Sequence, residues 1–302
     1  MAGETARVTA GAIVAISSHV ARGGVGNRSM VPALEALGFG VWSVPTIILP
    51  HHPGHGRATR IVPDTEQFSA FLDDLANSPW TGELRGVVSG YMANVGQVEE
   101  TARLVARLKA MTPELVYLCD PVIGDRNGLY VDPAVATAIR DRLLPLADIA
   151  TPNLHELAWL ANMDAAETAP LAAAQAARLG PARVVVTSAP AFMRGNTGNL
   201  LVDNGQALLA EHRLVDGPSN GAGDLFSGLF LARIISGAGG EKALASTSSS
   251  VFEIMARSAR AGAGEVVLAG EWSSLLQPSA MVTMRRVAIP AAVPLPASGS
   301  GS

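Results

Sequence analysis

Cysteine is almost absent from this sequence. The 302-residue chain holds one, Cys119, and a single cysteine forms no internal disulfide and no cysteine-based zinc site. Its apolar surroundings, Leu115 to Cys119, read as a strand with a buried thiol rather than a reactive one. That usage fits a reducing, cytosolic setting. Charge is scarce as well: 16% of the residues are charged and the net charge is −4. Such a balance argues against a polybasic face for nucleic acid or for an anionic membrane. No apolar run approaches the roughly 18 residues of a membrane span. The opening Met1-Ala2-Gly3-Glu4 has no basic region, and the short apolar stretch Ala10 to Ile16 runs directly into Ser17-Ser18-His19, so a first strand is expected there and not a signal peptide. What is plentiful is apolar: 48% of residues, enough for a sizeable core and too much for disorder.

The apolar residues come in an alternating pattern. Short, β-branched runs occur at Gly11–Ile16, Val41–Leu49, Gly86–Ser89, Leu115–Cys119, Asp148–Thr151 and Arg183–Thr187. Between them lie helical spacings, such as Val95 to Met111 with Val98, Ala102, Val105 and Leu108 on one side, and the alanine-rich Ala165 to Leu179. Near-continuous apolar strands alternating with helices imply a mostly parallel sheet covered on both faces. Gly198 to Val215 differs, with two strands around Asp203-Asn204-Gly205, a hairpin signal. Two helices follow, about Gly223 to Ile235 and Glu241 to Ala261. We expect one domain over residues 1–288 and a low-complexity, disordered tail over 289–302, where Pro290, Pro294 and Pro296 lead into Ser/Gly repeats.

Four segments carry chemistry. The strongest is Asn220-Gly221-Ala222-Gly223-Asp224, which opens an apolar helix. Small residues let backbone N–H groups approach a ligand, and the helix N-terminus adds partial positive charge, as a transferring phosphoryl group requires. Asp224, in the first turn, could deprotonate an attacking hydroxyl or could simply support the helix end. A Walker loop fits worse, because no Gly-Lys-Ser/Thr follows the glycines. A dinucleotide fingerprint fits worse as well, because the third glycine, Gly228, falls two positions late and the motif lies far from the first strand. The second segment is Thr151-Pro152-Asn153-Leu154-His155-Glu156, where Asn153 and Glu156 share a helix face and suit either a magnesium ion with its water or a capping arrangement. The third is Asp120-Pro121-Val122-Ile123-Gly124-Asp125 at a strand end, where two carboxylates suit cations bridging phosphates or a plain turn. The fourth is Ser17-Ser18-His19-Val20 with Gly23-Gly24-Val25-Gly26-Asn27, a candidate substrate wall in which Ser18 could hydrogen-bond a ring substituent. His51, His52 and His55 cluster in a Pro/Gly loop with no acidic partner beside them in sequence, which favours a mobile lid over a metal site.

These residues resemble a known family. Gly221-Ala222-Gly223-Asp224 is similar to the anion-hole and base motif of ribokinase-like kinases, and Asn153 to Glu156 to their Asn-x-x-Glu motif. Ser18-His19-Val20, Gly26-Asn27, Val44-Pro45-Thr46, Ser89-Gly90-Tyr91, Cys119-Asp120-Pro121-Val122 and Val251-Phe252-Glu253-Ile254-Met255 resemble the pyridoxal kinase branch, from about Ala12 to Ala261. The Asp120 to Asp125 motif also fits the sister kinases of hydroxymethylpyrimidine, and a non-catalytic vitamer-binding protein is the rival from another class. The resemblance implies a three-layer αβα sandwich, usually a homodimer, that uses ATP and Mg2+ and allows a monovalent cation, K+ or Na+. It implies Asp224 as general base with Gly221, Ala222 and Gly223 as anion hole. Ser18, Thr46, His52, His55 and Tyr130 would face pyridoxal. Asp120, Asn153, Thr187 and Ser188 would meet ATP, and Asp120, Asp125, Thr151 and Glu156 the metal. The chain departs where relatives carry a ring-covering aromatic after the histidines; His55 is the nearest equivalent.

Overall fold

The computed structural model describes residues 10–217 and 220–290. Along the chain run β1 (Ala12–Val20), α1 (Asn27–Ala36), β2 (Gly40–Leu49), α2 (Thr65–Ala76), β3 (Leu84–Ser89), α3 (Val95–Met111), β4 (Val116–Cys119), β5 (Gly124–Asp125), β6 (Gly128–Leu129), α4 (Pro133–Ala138), β7 (Ile149–Ala150), α5 (Leu154–Ala161), α6 (Ala169–Ala176), β8 (Arg183–Pro190), β9 (Asn196–Asp203), β10 (Gln206–Arg213), α7 (Ala222–Ile235), α8 (Gly240–Arg260), α9 (Trp272–Leu276) and β11 (Thr283–Val287). One sheet has the order β11-β10-β9-β8-β7-β4-β3-β1-β2, and β5 and β6 pair apart from it. The strands from β2 to β8 in that order are parallel, and β9, β10 and β11 extend the sheet antiparallel.

Strand side chains alternate between faces, and here both faces are apolar. Ile13 and Ala15 of β1 join Val88, Leu118 and Ile149 under α1, α7 and α8, where Met30, Leu34, Phe226, Phe230 and Ile254 are buried. Ala12, Val14 and Ile16 point the other way, with Val87 and Tyr117, against Phe68 and Leu72 of α2 and Val98, Val105 and Leu108 of α3. The result is the expected αβα sandwich. Each large apolar side chain so buried contributes about 1.5–3 kcal/mol, so neither face of the sheet tolerates exposure. The order reverses beside β1: β2 lies on one side of it and β3 on the other. Ligands of open α/β sheets bind at the C-terminal strand ends around such a reversal. Ser17 marks it, its Oγ accepting the Tyr91 N–H at 3.2 Å across from the end of β3.

Several boundaries differ from the sequence expectation. The first strand continues through the polar Ser17-Ser18-His19 to Val20, with a register shift between Ser17 and His19 against β2. Polar residues there end the apolar pattern without ending the backbone pairing. The alanine-rich helix is shorter than Ala165–Leu179: Pro170 sits in its first turn after Thr168, and it stops at Ala176. The helices α2 and α9 and the strand β11 had no sequence assignment. The hairpin is as expected, turning at Asn204 and Gly205, both with positive φ (50° and 73°), the backbone that a tight two-residue turn needs. Ile289, placed in the tail by composition, packs against the apolar cluster around β8, β9 and α6; residues 291–302 lie outside the described residues. Among the described residues no helix is long and apolar enough to cross a membrane.

Candidate active site

The N-terminus of α7 anchors the site. Gly221 caps it with φ 84°, a left-handed backbone that favours glycine. A Cβ at Gly221 would collide with the carbonyl oxygen of Gly24, so two glycine loops are pressed together here. Ser29 Oγ donates to the Gly221 carbonyl at 2.9 Å, and the first helical N–H to pair is that of Leu225, with Gly221 O at 3.0 Å. Gly223 is exposed, and no atom lies within 4 Å of where its Cβ would stand. The helix end therefore opens onto free space with its first-turn N–H groups ahead of any i−4 carbonyl. Asp224 stands beside that space. Its Oδ2 accepts the Gly26 N–H at 2.8 Å, and its other oxygen would lie 3.8 Å from a Cβ built on Gly90. Burial pushes the Asp224 carboxyl up to about 6, against the pull of the Gly26 N–H. A carboxylate of that strength is ionised at neutral pH and still basic enough to take a proton.

Two further carboxylates face the same region. Asp120 follows β4 and is buried; its Oδ2 accepts from Ser227 Oγ at 2.8 Å. Ser227 in turn lies 2.8 Å from the buried Thr151 hydroxyl. Burial holds the Asp120 carboxyl well above the usual range, and the charges of Glu156 and Asp224 add to this. Glu156 is also buried. Its Oε1 accepts Ile123 and Gly124 N–H at 3.0 and 3.4 Å, and its Oε2 accepts Asn153 N–H at 2.8 Å. Burial still lifts it to about 8 against those three amides. Tyr130 is half exposed, and burial followed by the charges of Glu156, Asp120 and Asp224 raises its hydroxyl pKa. The four residues expected to bind metal are not gathered into a cage. Asp125 is on the exposed hairpin, with Oδ1 accepting the Asn127 N–H at 2.7 Å, and Thr151 is spent on Ser227. Among the described residues no three His, Cys, Asp or Glu side chains converge as metal donors. The donor set does fit a magnesium ion that arrives with phosphates: burial raises the carboxyl pKa of Asp120, Glu156 and Asp224, the charges of Glu156 and Asp224 raise that of Asp120 further, and no ion pair of the described residues neutralises them. Magnesium typically takes one or two carboxylates, waters and substrate phosphates rather than an all-protein cage.

The second motif takes up the capping arrangement, one of the two readings that the sequence left open. Asn153 caps α5, its side-chain oxygen accepting the N–H groups of His155 and Glu156 while Glu156 returns to the Asn153 N–H. This is a capping box, and it points the Asn153 amide nitrogen at Gly124 O, 2.9 Å away. Thr187, in the middle of β8, bridges Asn153 by backbone. Ser188 next to it is exposed and holds φ 53°, uncommon for a residue with a Cβ, at the point where β8 and β9 shift register.

The substrate-side residues lie across the reversal. Ser18 lies near the end of β1, and a Cβ at Gly26 would strike both its carbonyl and its hydroxyl. Thr46 is buried in β2, its hydroxyl donating to Tyr91 O at 2.7 Å. His52 caps the short turn Pro53–His55 by accepting the Gly54 N–H on Nδ1. The histidine loop has an acidic partner after all: His55 Nε2 is 2.7 Å from Glu265 Oε1, 210 residues away in the chain. Sequence reasoning quoted Ser17, Gly26 and Gly90 within longer motifs without giving them a role of their own, and it missed Ser227 and Glu265. Ser227 was within reach, one helical turn from Asp224 on the same face; nothing local marks Glu265.

A helix N-terminus with three carboxylates near the reversal of a parallel sheet suits phosphoryl transfer, and a family profile described as phosphomethylpyrimidine kinase matches residues 85–269. The chain is 36% identical over 282 residues to the pyridoxal kinase PdxY of Rubrobacter xylanophilus, covering 91% of this chain and 97% of that one. It is 37% identical to the pyridoxine/pyridoxal/pyridoxamine kinase of Bordetella bronchiseptica, covering 85% and 93%. The solved structure of pyridoxal kinase from Leishmania donovani in complex with ADP and pyridoxine superposes with a TM-score of 0.81 at 26% identity, over 91% of this chain and 99% of that one. The chain belongs to the pyridoxal kinase family, with the ribokinase-like fold.

Proposed function

We propose that this protein transfers the γ-phosphate of ATP to the 5′-hydroxyl of pyridoxal, giving pyridoxal 5′-phosphate and ADP. The observation that carries the reading is Asp224. It stands in the first turn of α7 beside the open Gly223, held by the Gly26 N–H at 2.8 Å, with its carboxyl at about 6. The 5′-hydroxyl gives its proton to Asp224, its oxygen forms a bond to the γ-phosphorus in line, and the bond from that phosphorus to the β–γ bridging oxygen breaks. Backbone N–H groups of Gly221, Ala222 and Gly223 meet the charge spread over the transferring oxygens, where preorganised donors are worth most. Asn153, Thr187 and Ser188 line the nucleotide side. Ser18, Thr46, His55 and Tyr130 surround the ring, and the His51–Gly56 loop covers it, excluding water that would otherwise take the phosphoryl group.

Asp120 would hold a magnesium ion directly through its free oxygen, and Glu156 through water, because backbone amides already occupy its carboxylate. When bound, that ion neutralises the β/γ-phosphate charge. The test is ATP-dependent formation of pyridoxal 5′-phosphate by the purified protein, followed by absorbance, with hydroxymethylpyrimidine in parallel. Robust product from pyridoxal is expected. Turnover of the pyrimidine alone would move the substrate, and tight binding of pyridoxal 5′-phosphate without turnover of either would replace the enzyme by a binding protein.

A further inference from the structure

Glu265 lies in the segment between α8 and α9, in neither of the motifs that define the site, yet three loops of the site meet on it. The residue is 6% exposed. Its Oε2 accepts the Gly24 N–H at 2.7 Å, and its Oε1 accepts from His55 Nε2 at 2.7 Å. Its backbone bridges Asn220, and Val266 N–H donates to Asn220 O at 3.1 Å. There is no slack in this junction. A Cβ at Gly23 would strike the Glu265 carboxylate, one at Gly24 would strike Val266 O, and one at Gly221 would strike Gly24 O.

The same glycine loop ends on Gly26, whose N–H holds Asp224. The chain of contacts therefore runs from the histidine loop, through one carboxylate, to the loop that orients the base. The titratable groups facing that carboxylate are His55 by contact and His52, which feels the charge of Glu265; the His51 ring stands 6.4 Å from that of His55. No Lys or Arg pairs with Glu265 among the described residues. A lone buried carboxylate kept by two donors is costly unless both stay in place. It therefore favours the arrangement in which the histidine loop is down on the glycine loop.

We infer that Glu265 is a positioning residue: it ties the His51–Gly56 loop to the Gly23–Gly26 loop, so that covering the substrate and aiming Asp224 are one event. Glu265 acts through Gly24 and Gly26 on the base and through His55 on the substrate cover. It touches no reacting atom itself. The inference rests on the kinase reading above, and the measurements below separate the two.

Glu265→Ala, Glu265→Gln, His55→Ala and the double alanine variant are compared with the wild type. Misplacement of a catalytic group by about 1 Å costs up to roughly 100-fold in rate. Glu265→Ala is expected to lower kcat by roughly 10-fold to 100-fold on that scale. It should raise the KM for pyridoxal but not that for ATP, and raise ATP hydrolysis without pyridoxal relative to transfer. Glu265→Gln keeps an acceptor for Gly24 and can donate to the other His55 tautomer, so it should recover most of the turnover. The double variant should be no worse than Glu265→Ala alone. A purely architectural residue would instead reduce folded protein and kcat in parallel, with KM and the hydrolysis ratio unchanged, and that result would overturn the inference, as would additive effects in the double variant. Hydrogen exchange on the same proteins reads the tie without any substrate. In Glu265→Ala, and in His55→Ala for the 50–57 segment, amides of residues 22–28 and 50–57 should exchange faster while α3 does not change. Unchanged exchange in those segments would overturn the inference whatever the acceptor proves to be, whereas faster exchange in the variants, with a wild type that makes no pyridoxal 5′-phosphate, would overturn only the substrate.

Discussion

Replacing Asp224 by Asn separates the chemistry of this carboxylate from its place in the fold. The Asn side-chain oxygen can still accept the Gly26 N–H that Asp224 Oδ2 accepts at 2.8 Å, so the glycine loop keeps its anchor. What is lost is the capacity to take a proton. Loss of a general base typically lowers the rate by about 10²–10⁴, or roughly 3–5 kcal/mol of barrier, and kcat for pyridoxal should fall by that factor. Stability should move the other way. The folded Asp224 carboxyl is raised from 3.8 to about 6, so its favourable protonated state is fully available below the unfolded value and is lost as the pH rises through 6. Above pH 6 the ionised group costs at most about 3 kcal/mol, less what its partial exposure screens, and Asn removes that cost. Thermal unfolding at pH 8 should thus show Asp224→Asn at least as stable as the wild type, with the difference shrinking towards pH 4. Turnover is followed as pyridoxal 5′-phosphate formed per minute at saturating ATP. A variant that is folded and retains turnover within tenfold of the wild type would refute the assignment of the base.

The pH dependence follows from the same group: kcat/KM for pyridoxal should rise with pH through a limb near 6, as Asp224 ionises, and a flat profile from pH 5 to 8 would speak against Asp224 as the titrating base. Gly221→Ala should be inactive and destabilised by at least about 1–3 kcal/mol, because its Cβ meets Gly24 O at a left-handed φ; urea unfolding and nucleotide binding would check both. Asn153→Ala should lose about 0.5–2 kcal/mol from the α5 cap and also free Gly124 O from its 2.9 Å contact, which nucleotide affinity would register as a rise in the KM for ATP. Cys119 should resist alkylation in the native protein at pH 8, since burial pushes its thiol up to about 12, and should label fully in denaturant; rapid native labelling would contradict the strand packing.

Much of this protein was legible in the chain. Apolar runs without polar alternation announced a parallel sheet buried on both faces, and Ile13, Val88 and Leu118 on one face with Val14, Val87 and Tyr117 on the other bear that out. Gly221 to Asp224 and Asn153 to Glu156 were legible because the residues of each motif lie within one helical turn, and local geometry follows from local spacing. For the same reason the cap at Asn153 and the turn at Asn204-Gly205 needed nothing beyond neighbouring residues. What no spacing contains is distance across the fold. Only the tertiary structure brings Gly26 to Asp224, Ser227 to both Asp120 and Thr151, and Glu265 to His55. It also decides that Asp224, Glu156 and Asp120 carry raised pKa values, since burial and mutual charge belong to the packed state and not to any residue alone. The motifs thus determine which groups are available for phosphoryl transfer, because those groups act over one turn of backbone. Packing decides which of them face each other and how strongly each holds its proton, because electrostatics and hydrogen bonding act through space.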